Sequence, residues 1–318
     1  MGSDLGTAAI VRTADVTLPV VDRREDGHCL EYDVLGVRLS ITSDLPDVLA
    51  VVDATYAAFR EPAPAATPMT TSSFRLVDLG EGGPCRLDDP EGRSNRLGSA
   101  TEGLFGLLEG MVGTIVARLH EAGILAAHAG AVAGPDGAIV VAGRSGQGKT
   151  TLVLGLVRAG GGLLSDELAL LDPVGDVVRP YRRAVHVRPS TLDLLPELAP
   201  LRSRPLDELG GGSEWTVSQV DVVDLLGGRL EEARSLGGIV LLDGRPDPSA
   251  APRIVEVSPA VAALELMRST WAASVDFAGT LDAVGRMLSG IPCLRLSVGR
   301  FDDTVAAVGS ALELELAR

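Results

Sequence analysis

The segment that decides the fold is AIVVAGRSGQGKTTLVLGLVRAG, residues 138–160. The apolar run at 138–142 predicts a buried strand, and the apolar spacing from 149 onward predicts a helix that ends at glycines. Between the two, residues 143–150 match the pattern G-x-x-x-x-G-K-[ST] in full. The same stretch holds Lys149, the only lysine among the 28 lysine and arginine residues of the chain. The sequence therefore predicts the strand, glycine-rich turn and helix that a phosphate-binding loop requires.

The loop predicts that the chain binds the phosphates of a nucleotide. Glycines let backbone N–H groups point at phosphates, and the start of the following helix adds a positive partial charge. Lys149 would reach the outer phosphates as a compact charge, a role that the planar fork of arginine fits poorly. A hydroxyl at the last motif position places an oxygen on Mg²⁺. We therefore expect ATP and Mg²⁺ to bind at Gly143, Arg144, Ser145, Gly146, Gln147, Gly148, Lys149, Thr150 and Thr151.

Composition and charge exclude several other classes of protein. The net charge of −15 would repel a nucleic acid backbone, and 3% aromatic residues leave few platforms for stacking bases. Cys29, Cys85 and Cys293 show neither metal-binding nor disulfide spacing. The N-terminus lacks the pattern of a signal peptide, and no uninterrupted apolar stretch is long enough to span a membrane. We expect a cytoplasmic protein with no nucleic acid or membrane partner, and homo-oligomerisation is left open.

The chain is expected to form two regions. Alternation over residues 29–44 predicts strands, helical spacing over 44–59 predicts a helix, and 102–122 is a long amphipathic helix. We assign residues 1–100 to an α+β region for recognition of a substrate or partner. Residues 101–318 form the phosphate-loop domain. The first region is the smaller of the two.

Two hairpins in the phosphate-loop domain predict a mixed sheet. The strand candidates 124–134 and 138–143 are separated by Pro-Asp-Gly, and the strand candidate 163–172 is followed by a turn and a returning strand. An all-parallel sheet would need helical crossovers at these points. The fold class is therefore α/β with a mixed β-sheet.

Adjacent acids interrupt the strand candidate 163–172. Successive residues of a strand point to opposite faces, so at least one of Asp166 and Glu167 should be buried and need a partner such as Mg²⁺ or a strong donor. Asp243 ends another apolar strand, as a Walker B acid does, and Asp172 ends the 163–172 strand. Ordinary turn chemistry explains these two acids as well. We favour Asp166 and Glu167 and keep Asp243 as the alternative.

Basic residues near the loop allow two interpretations. His128 lies in an apolar strand candidate, where a histidine is either structural or catalytic. Arg182, Arg183 and Arg188 form either a solvated edge or a contact for phosphate or an acidic substrate.

Three segments together resemble the HPr kinase/phosphorylase family and its relatives. They are AHAGAV (127–132), GRSGQGKTTL (143–152) and LLSDELALLD (163–172). The resemblance is close over about residues 124–190 and looser elsewhere. It implies a phosphate-loop domain of the HPr kinase C-terminal type, which is shared with ATP-dependent phosphoenolpyruvate carboxykinase, and a smaller α+β N-terminal region.

The family resemblance also implies roles for individual residues. Asp166 would be the general base toward a serine hydroxyl, and Asp166, Glu167 and Thr150 would lie at Mg²⁺. His128 or Arg183 would stabilise the transferring charge. The second family acid is usually aspartate, so Glu167 is a departure and the roles of the two acids are open to exchange.

The implied activity is Mg²⁺-ATP-dependent transfer of the γ-phosphoryl group to a hydroxyl of a peptide, a protein or a small molecule. The family signature linked with phosphorolysis is not recognisable after residue 190. The chain is therefore more similar to HPr kinase-related proteins of peptide natural-product pathways, including lasso peptide kinases that phosphorylate serine. One alternative is a regulatory or hydrolytic NTPase without an acceptor. Another is a carboxykinase-type lyase, which would need a lysine beyond Lys149.

Overall fold

The computed structural model describes residues 22–24, 27–60, 70–80, 83–204, 207–209, 212–270 and 277–312. The chain forms two compact units: Met1–Val112 with Arg202–Thr216, and Gly113–Leu201 with Val217–Arg318. The division therefore falls inside the helix that begins at Ala100, and a short later segment joins the first unit.

A six-stranded sheet organises the first unit. Its strands lie side by side in chain order, and every pair is antiparallel except β3 with β4. Parallel strands need a crossover connection, and α1 lies in it. The strands predicted over 29–44 and the helix predicted over 44–59 are confirmed. The elements are β1 (Asp22–Arg24), β2 (Gly27–Val34), β3 (Val37–Ser43), α1 (Pro46–Tyr56), β4 (Thr70–Asp78), β5 (Cys85–Asp88) and β6 (Ser94–Leu97).

The long helix α2 (Ala100–Glu121) confirms the helix predicted at 102–122. It lies close to β4 and β5, because a Cβ added at Gly110 would come within 2.9 Å of Phe74 and one at Gly103 would meet Cys85. Among the described residues, α2 also has the length and apolar composition needed to cross a membrane, a test that buried core helices pass too.

The remaining elements follow in chain order. They are β7 (Leu125–Gly134), β8 (Gly137–Ala142), α3 (Lys149–Arg158), β9 (Gly162–Ser165), β10 (Leu168–Asp172), β11 (Val177–Arg179), β12 (Val185–Val187), α4 (Pro189–Leu194), β13 (Asp207–Leu209), β14 (Gly212–Val217), α5 (Gln219–Leu226), β15 (Arg229–Leu230), β16 (Leu236–Asp243), β17 (Arg253–Glu256), α6 (Pro259–Arg268), α7 (Phe277–Met287), β18 (Cys293–Ser297) and α8 (Phe301–Ala311).

The second unit contains a nine-stranded mixed sheet. Its main path runs β11-β10-β7-β8-β16-β18-β17, and β9 pairs with β7 and β15. Three neighbouring strands, β8, β16 and β18, are parallel. The β7–β8 and β10–β11 pairs are antiparallel hairpins. The predicted α/β class with a mixed sheet is therefore confirmed.

The single strand predicted at 163–172 is wrong, because a bend at Asp166 and Glu167 divides it into β9 and β10. The Ser165 hydroxyl oxygen stabilises the bend by accepting hydrogen bonds from the N–H groups of Glu167 at 3.2 Å and Leu168 at 3.1 Å. β7 pairs with both pieces, β9 toward its end and β10 toward its start. The two acids thus lie in an irregular segment beside β7 rather than in a regular strand.

Helix α3 packs closely on α8 at Gly155. A Cβ added there would lie 2.7 Å from both Phe301 Cζ and Val305 Cγ2. We predict that Gly155→Ala lowers the free energy of unfolding by about 1–3 kcal/mol, since the added methyl group overpacks this contact. Gly285→Ala in α7 is the matched control, because no atom lies within 4 Å of its added Cβ. Chemical denaturation measures both variants, and equal stability would contradict the packing described.

Candidate functional site

The glycine-rich loop connects β8 to the start of α3. Gly146 and Gly148 have φ angles of 78° and 91°, in the left-handed region that favours glycine. Gly148 is the N-cap of α3, and no side chain caps the helix there. The first N–H groups of a helix have no partner within the helix. This end of α3 therefore has the chemistry to bind an anion, and the glycines permit a close approach.

Lys149 is nearly buried at the first position of α3, with 8% of its surface exposed. Its Nζ donates hydrogen bonds to the carbonyl oxygens of Gly143 at 2.8 Å and Arg144 at 3.4 Å. Burial lowers the pKa of Lys149, although the charges of Glu167 and Asp166 oppose this shift. The ammonium forms no ion pair with a carboxylate in the described part of the chain. It is therefore placed to interact with an added anion.

Other loop side chains have different surroundings. Gln147 Oε1 accepts a hydrogen bond from the backbone N–H of Arg144 at 2.5 Å, which holds the loop together. The Thr151 hydroxyl lies 3.0 Å from the Thr191 hydroxyl of α4, so it is engaged away from the loop. Lys149 is the one buried member of the nine predicted ligands; Arg144 and Ser145 are exposed, and Thr150 is partly exposed.

The acid pair lies near Lys149, and Glu167 forms a partly buried ion pair with Arg183. Asp166 is 5% exposed, which confirms that at least one acid is buried. The side chain of Glu167 is 26% exposed, and its Oε2 lies 2.7 Å from Nη1 of Arg183. Burial raises the pKa of Glu167. The nearby Arg183, His186 and His128 have the larger combined effect and lower this pKa. Glu167 is therefore ionised, and Arg183 balances its charge.

His186 is a member of this cluster that the sequence interpretation missed. Its Nε2 lies 3.1 Å from Nη2 of Arg183. Burial, aided by the charge of Arg183, lowers the pKa of His186 to about 4. The imidazole is therefore neutral at pH 7 and accepts a hydrogen bond from Arg183. The available signal was its spacing, three residues after Arg183 and next to two buried valines of β12.

His128 links β7 to the acidic bend. It pairs across the sheet with Leu168, the residue directly after the bend. Burial together with the charge of Lys149 lowers the pKa of His128, although Glu167 opposes this shift. Its Nδ1 is buried and has no hydrogen-bond partner among the described residues. Since the imidazole is neutral at pH 7, its surroundings do not favour the predicted stabilisation of transferring charge, and its place beside the bend suits a positioning role.

The three arginines predicted as a cluster at 182–188 have different surroundings in the structure. Arg182 donates hydrogen bonds to the carbonyl oxygens of Leu163, at 3.0 Å, and Glu231. Arg183 binds Glu167, whereas Arg188 is exposed. Arg182 therefore joins β9 to the segment after β15, and Arg183 pairs with the acidic bend.

A cleft of about 650 Å³ adjoins the loop. It lies at the carboxyl ends of β8, β16 and β18, where ligands generally bind in α/β sheets. Asp243, at the end of β16, is exposed there, whereas Asp166 is not among the lining residues. The charged and titratable residues that line the cleft are His128, Arg144, Asp243, Glu265, Arg268 and Arg295.

Within the described ranges, no group of three or more histidine, cysteine, aspartate or glutamate side chains is arranged to hold a metal. Mg²⁺ does not need such a group, because it usually binds one or two carboxylates together with waters and substrate phosphates. Thr150 and Asp166 are compatible with that pattern. Glu167 fits it less well, since Arg183 already occupies one of its oxygens.

No protein-family model matches the chain, and no curated protein gives a significant match. The resemblance to the HPr kinase family therefore stays a prediction.

The Glu167–Arg183 pair predicts a pH-dependent loss of stability. Because folding lowers the pKa values of Glu167 and His186, their contributions are present above the unfolded pKa values and are lost as the pH falls. We predict that Arg183→Gln lowers the free energy of unfolding by about 2 kcal/mol at pH 7, less than for a fully buried pair. The loss should be smaller at pH 4, because that pH lies below the unfolded pKa of Glu167, which is about 4.3.

Denaturation at the two pH values measures this effect. Arg286→Gln is the control, because it breaks an exposed pair with Asp282 and should change stability little at either pH. An equal loss for Arg183→Gln at pH 7 and pH 4 would contradict the assignment.

Proposed function

We propose that the chain is a Mg²⁺-ATP-dependent phosphotransferase of the HPr kinase-like type, acting on a hydroxyl group of a peptide, protein or small molecule. One observation carries the proposal: β7 pairs with both the loop strand β8 and the strand β9 that leads into the bend, and Gly130 of β7 lies between α3 and the backbone of the buried Asp166. A phosphate site and a proton acceptor are thereby adjacent, as transfer to a hydroxyl requires.

The residues of the loop would hold the nucleotide. The N–H groups of residues 143–149 and the Lys149 ammonium would bind its phosphates, and Thr150 with Asp166 would hold Mg²⁺. When bound, Mg²⁺-ATP supplies the phosphoryl group and its charge-neutralising cation. The left-handed glycines and the uncapped start of α3 support this fit.

We assign acceptance of the hydroxyl proton to Asp166. Glu167 is the poorer base, because its ion pair with Arg183 lowers its pKa. Glu167, Arg183 and the neutral His186 then act as a positioning group that fixes the bend. His128 would hold the same bend through its pairing with Leu168.

A hydrolytic or regulatory NTPase is the second candidate, and the place of Asp243 favours it. β16 is the parallel neighbour of β8, and Asp243 stands at its carboxyl end beside the loop, where a Walker B acid would lie. In that case water would replace the hydroxyl acceptor, and Asp243 would matter more than Asp166.

The unique lysine provides one test of the loop. We predict that Lys149→Arg loses most ATP-dependent turnover despite its unchanged charge, because the larger fork does not fit the buried position against Gly143. Arg158→Lys, at the other end of α3, is the control and should retain activity. Steady-state turnover measures both, and wild-type activity in Lys149→Arg would refute the assignment.

Asp166→Asn and Asp243→Asn separate the two candidate functions. Asparagine keeps the shape of the side chain but removes the proton acceptor, so Asp166→Asn should slow single-turnover transfer by about 10²- to 10⁴-fold. Its ATP affinity should stay within about tenfold of wild type, because the loop supplies most phosphate contacts. Asp243→Asn should retain transfer.

Single-turnover assays with labelled ATP and a serine peptide library, together with ATP titrations, measure these quantities. If Asp243→Asn abolishes turnover while Asp166→Asn remains active, the chain is an NTPase of the second type.

A further inference from the structure

Arg295 is a partly buried residue in the wall of the cleft. Within the described ranges, its side chain has no hydrogen bond or ion pair, and it is less than fully exposed. Other described arginines without such partners, Arg96, Arg144, Arg245 and Arg253, are exposed to solvent. The guanidinium nitrogens of Arg295 are accessible from the cleft, so an added anion could reach them.

The sheet directs Arg295 toward the cleft. Ala142, Leu241 and Arg295 are paired across the parallel strands β8, β16 and β18, so they form one row on one face. All three line the cleft. Next to the loop the row consists of the apolar side chains of Ala142 and Leu241, and it ends in the guanidinium of Arg295. This order suits an elongated ligand with an anionic end.

The backbone of Arg295 lies two strands away from the strand that leads into the loop. Neighbouring strands lie about 4.8 Å apart, so the β18 backbone is about 10 Å from that of β8. A triphosphate held by Lys149 would lie over β8 and α3, and an anion held by Arg295 would be a second charge. Filling the loop with a nucleotide before the anion is added separates the two sites.

The charges of the cleft also favour an anion at this position. Arg268 is paired with Glu265 at 2.8 Å, so these two cancel. Asp243 is the remaining acid of the lining, opposed by Arg144 and Arg295. The cleft is thus locally basic in a chain whose net charge is −15.

We propose that Arg295 binds a carboxylate or phosphate group of the hydroxyl acceptor, so that the substrate is an anionic molecule or peptide. This inference rests on the proposed phosphotransferase for the identity of the ligand as an acceptor. A planar guanidinium binds either oxyanion through two parallel hydrogen bonds. Arg295 is then a specificity-determining residue for the acceptor.

Calorimetry on the full chain tests the proposal with two defined anions. The protein is saturated with Mg²⁺ and adenylyl imidodiphosphate, which fills the loop, and is titrated separately with succinate and inorganic phosphate. We expect at least one anion to bind, and Arg295→Gln to weaken that binding at least tenfold. Arg253→Gln on the adjacent strand β17 is the matched control and should bind as wild type. Arg295→Lys should show an intermediate loss.

Each result of these titrations supports or overturns the proposed role of Arg295. Succinate binding indicates a carboxylate acceptor, and phosphate binding a phosphorylated one. The inference is overturned if neither anion binds, if Arg295→Gln binds as wild type, or if Arg295→Gln weakens the nucleotide analogue itself tenfold. Should the wild type fail to bind the analogue, the proposed function fails. The same titrations without nucleotide then still decide the role of Arg295. Thermal unfolding confirms that Arg295→Gln is folded.

Discussion

The burial of the Lys149 ammonium at the start of α3 is the interaction on which the rest of the site depends. The ammonium is held by carbonyl oxygens of the loop, 2.8 Å from that of Gly143, and lacks a carboxylate partner among the described residues. A buried cation with only neutral partners is costly unless charge of opposite sign lies near. The bend at Asp166 and Glu167 provides that charge from one side, and a bound anion would provide it from the loop.

The mixed sheet gives the loop two different neighbours. On one side the antiparallel strand β7 carries His128 and pairs with the broken strand that contains the acidic bend. On the other side the parallel strands β16 and β18 end in a cleft that contains Asp243 and Arg295. In the proposed function, proton transfer would take place on the first side and recognition of an anionic acceptor on the second. An all-parallel sheet would not place β7 against the loop strand in this way.

Local sequence patterns predicted the parts of this arrangement that depend on local chemistry. The apolar run of β8, the glycines and the helix α3 follow from periodicity and turn chemistry. The bend at 166–167 could not be predicted, because it depends on hydrogen bonds to the Ser165 hydroxyl and on pairing with β7. Contacts between distant parts of the chain could not be predicted either. In the sequence Arg295 is an ordinary strand residue, and only the fold shows that it has no partner among the described residues.

The central claim is that the loop and Lys149 form a site for phosphates rather than for a nucleoside. The most direct measurement is a comparison of the dissociation constants for ATP, ADP and adenosine in the presence of Mg²⁺, by calorimetry. The account predicts that ATP binds and that adenosine, which lacks phosphates, binds at least about 100-fold more weakly, a difference of about 2.7 kcal/mol. Equal affinity for adenosine and ATP, or no binding of ATP, would contradict it.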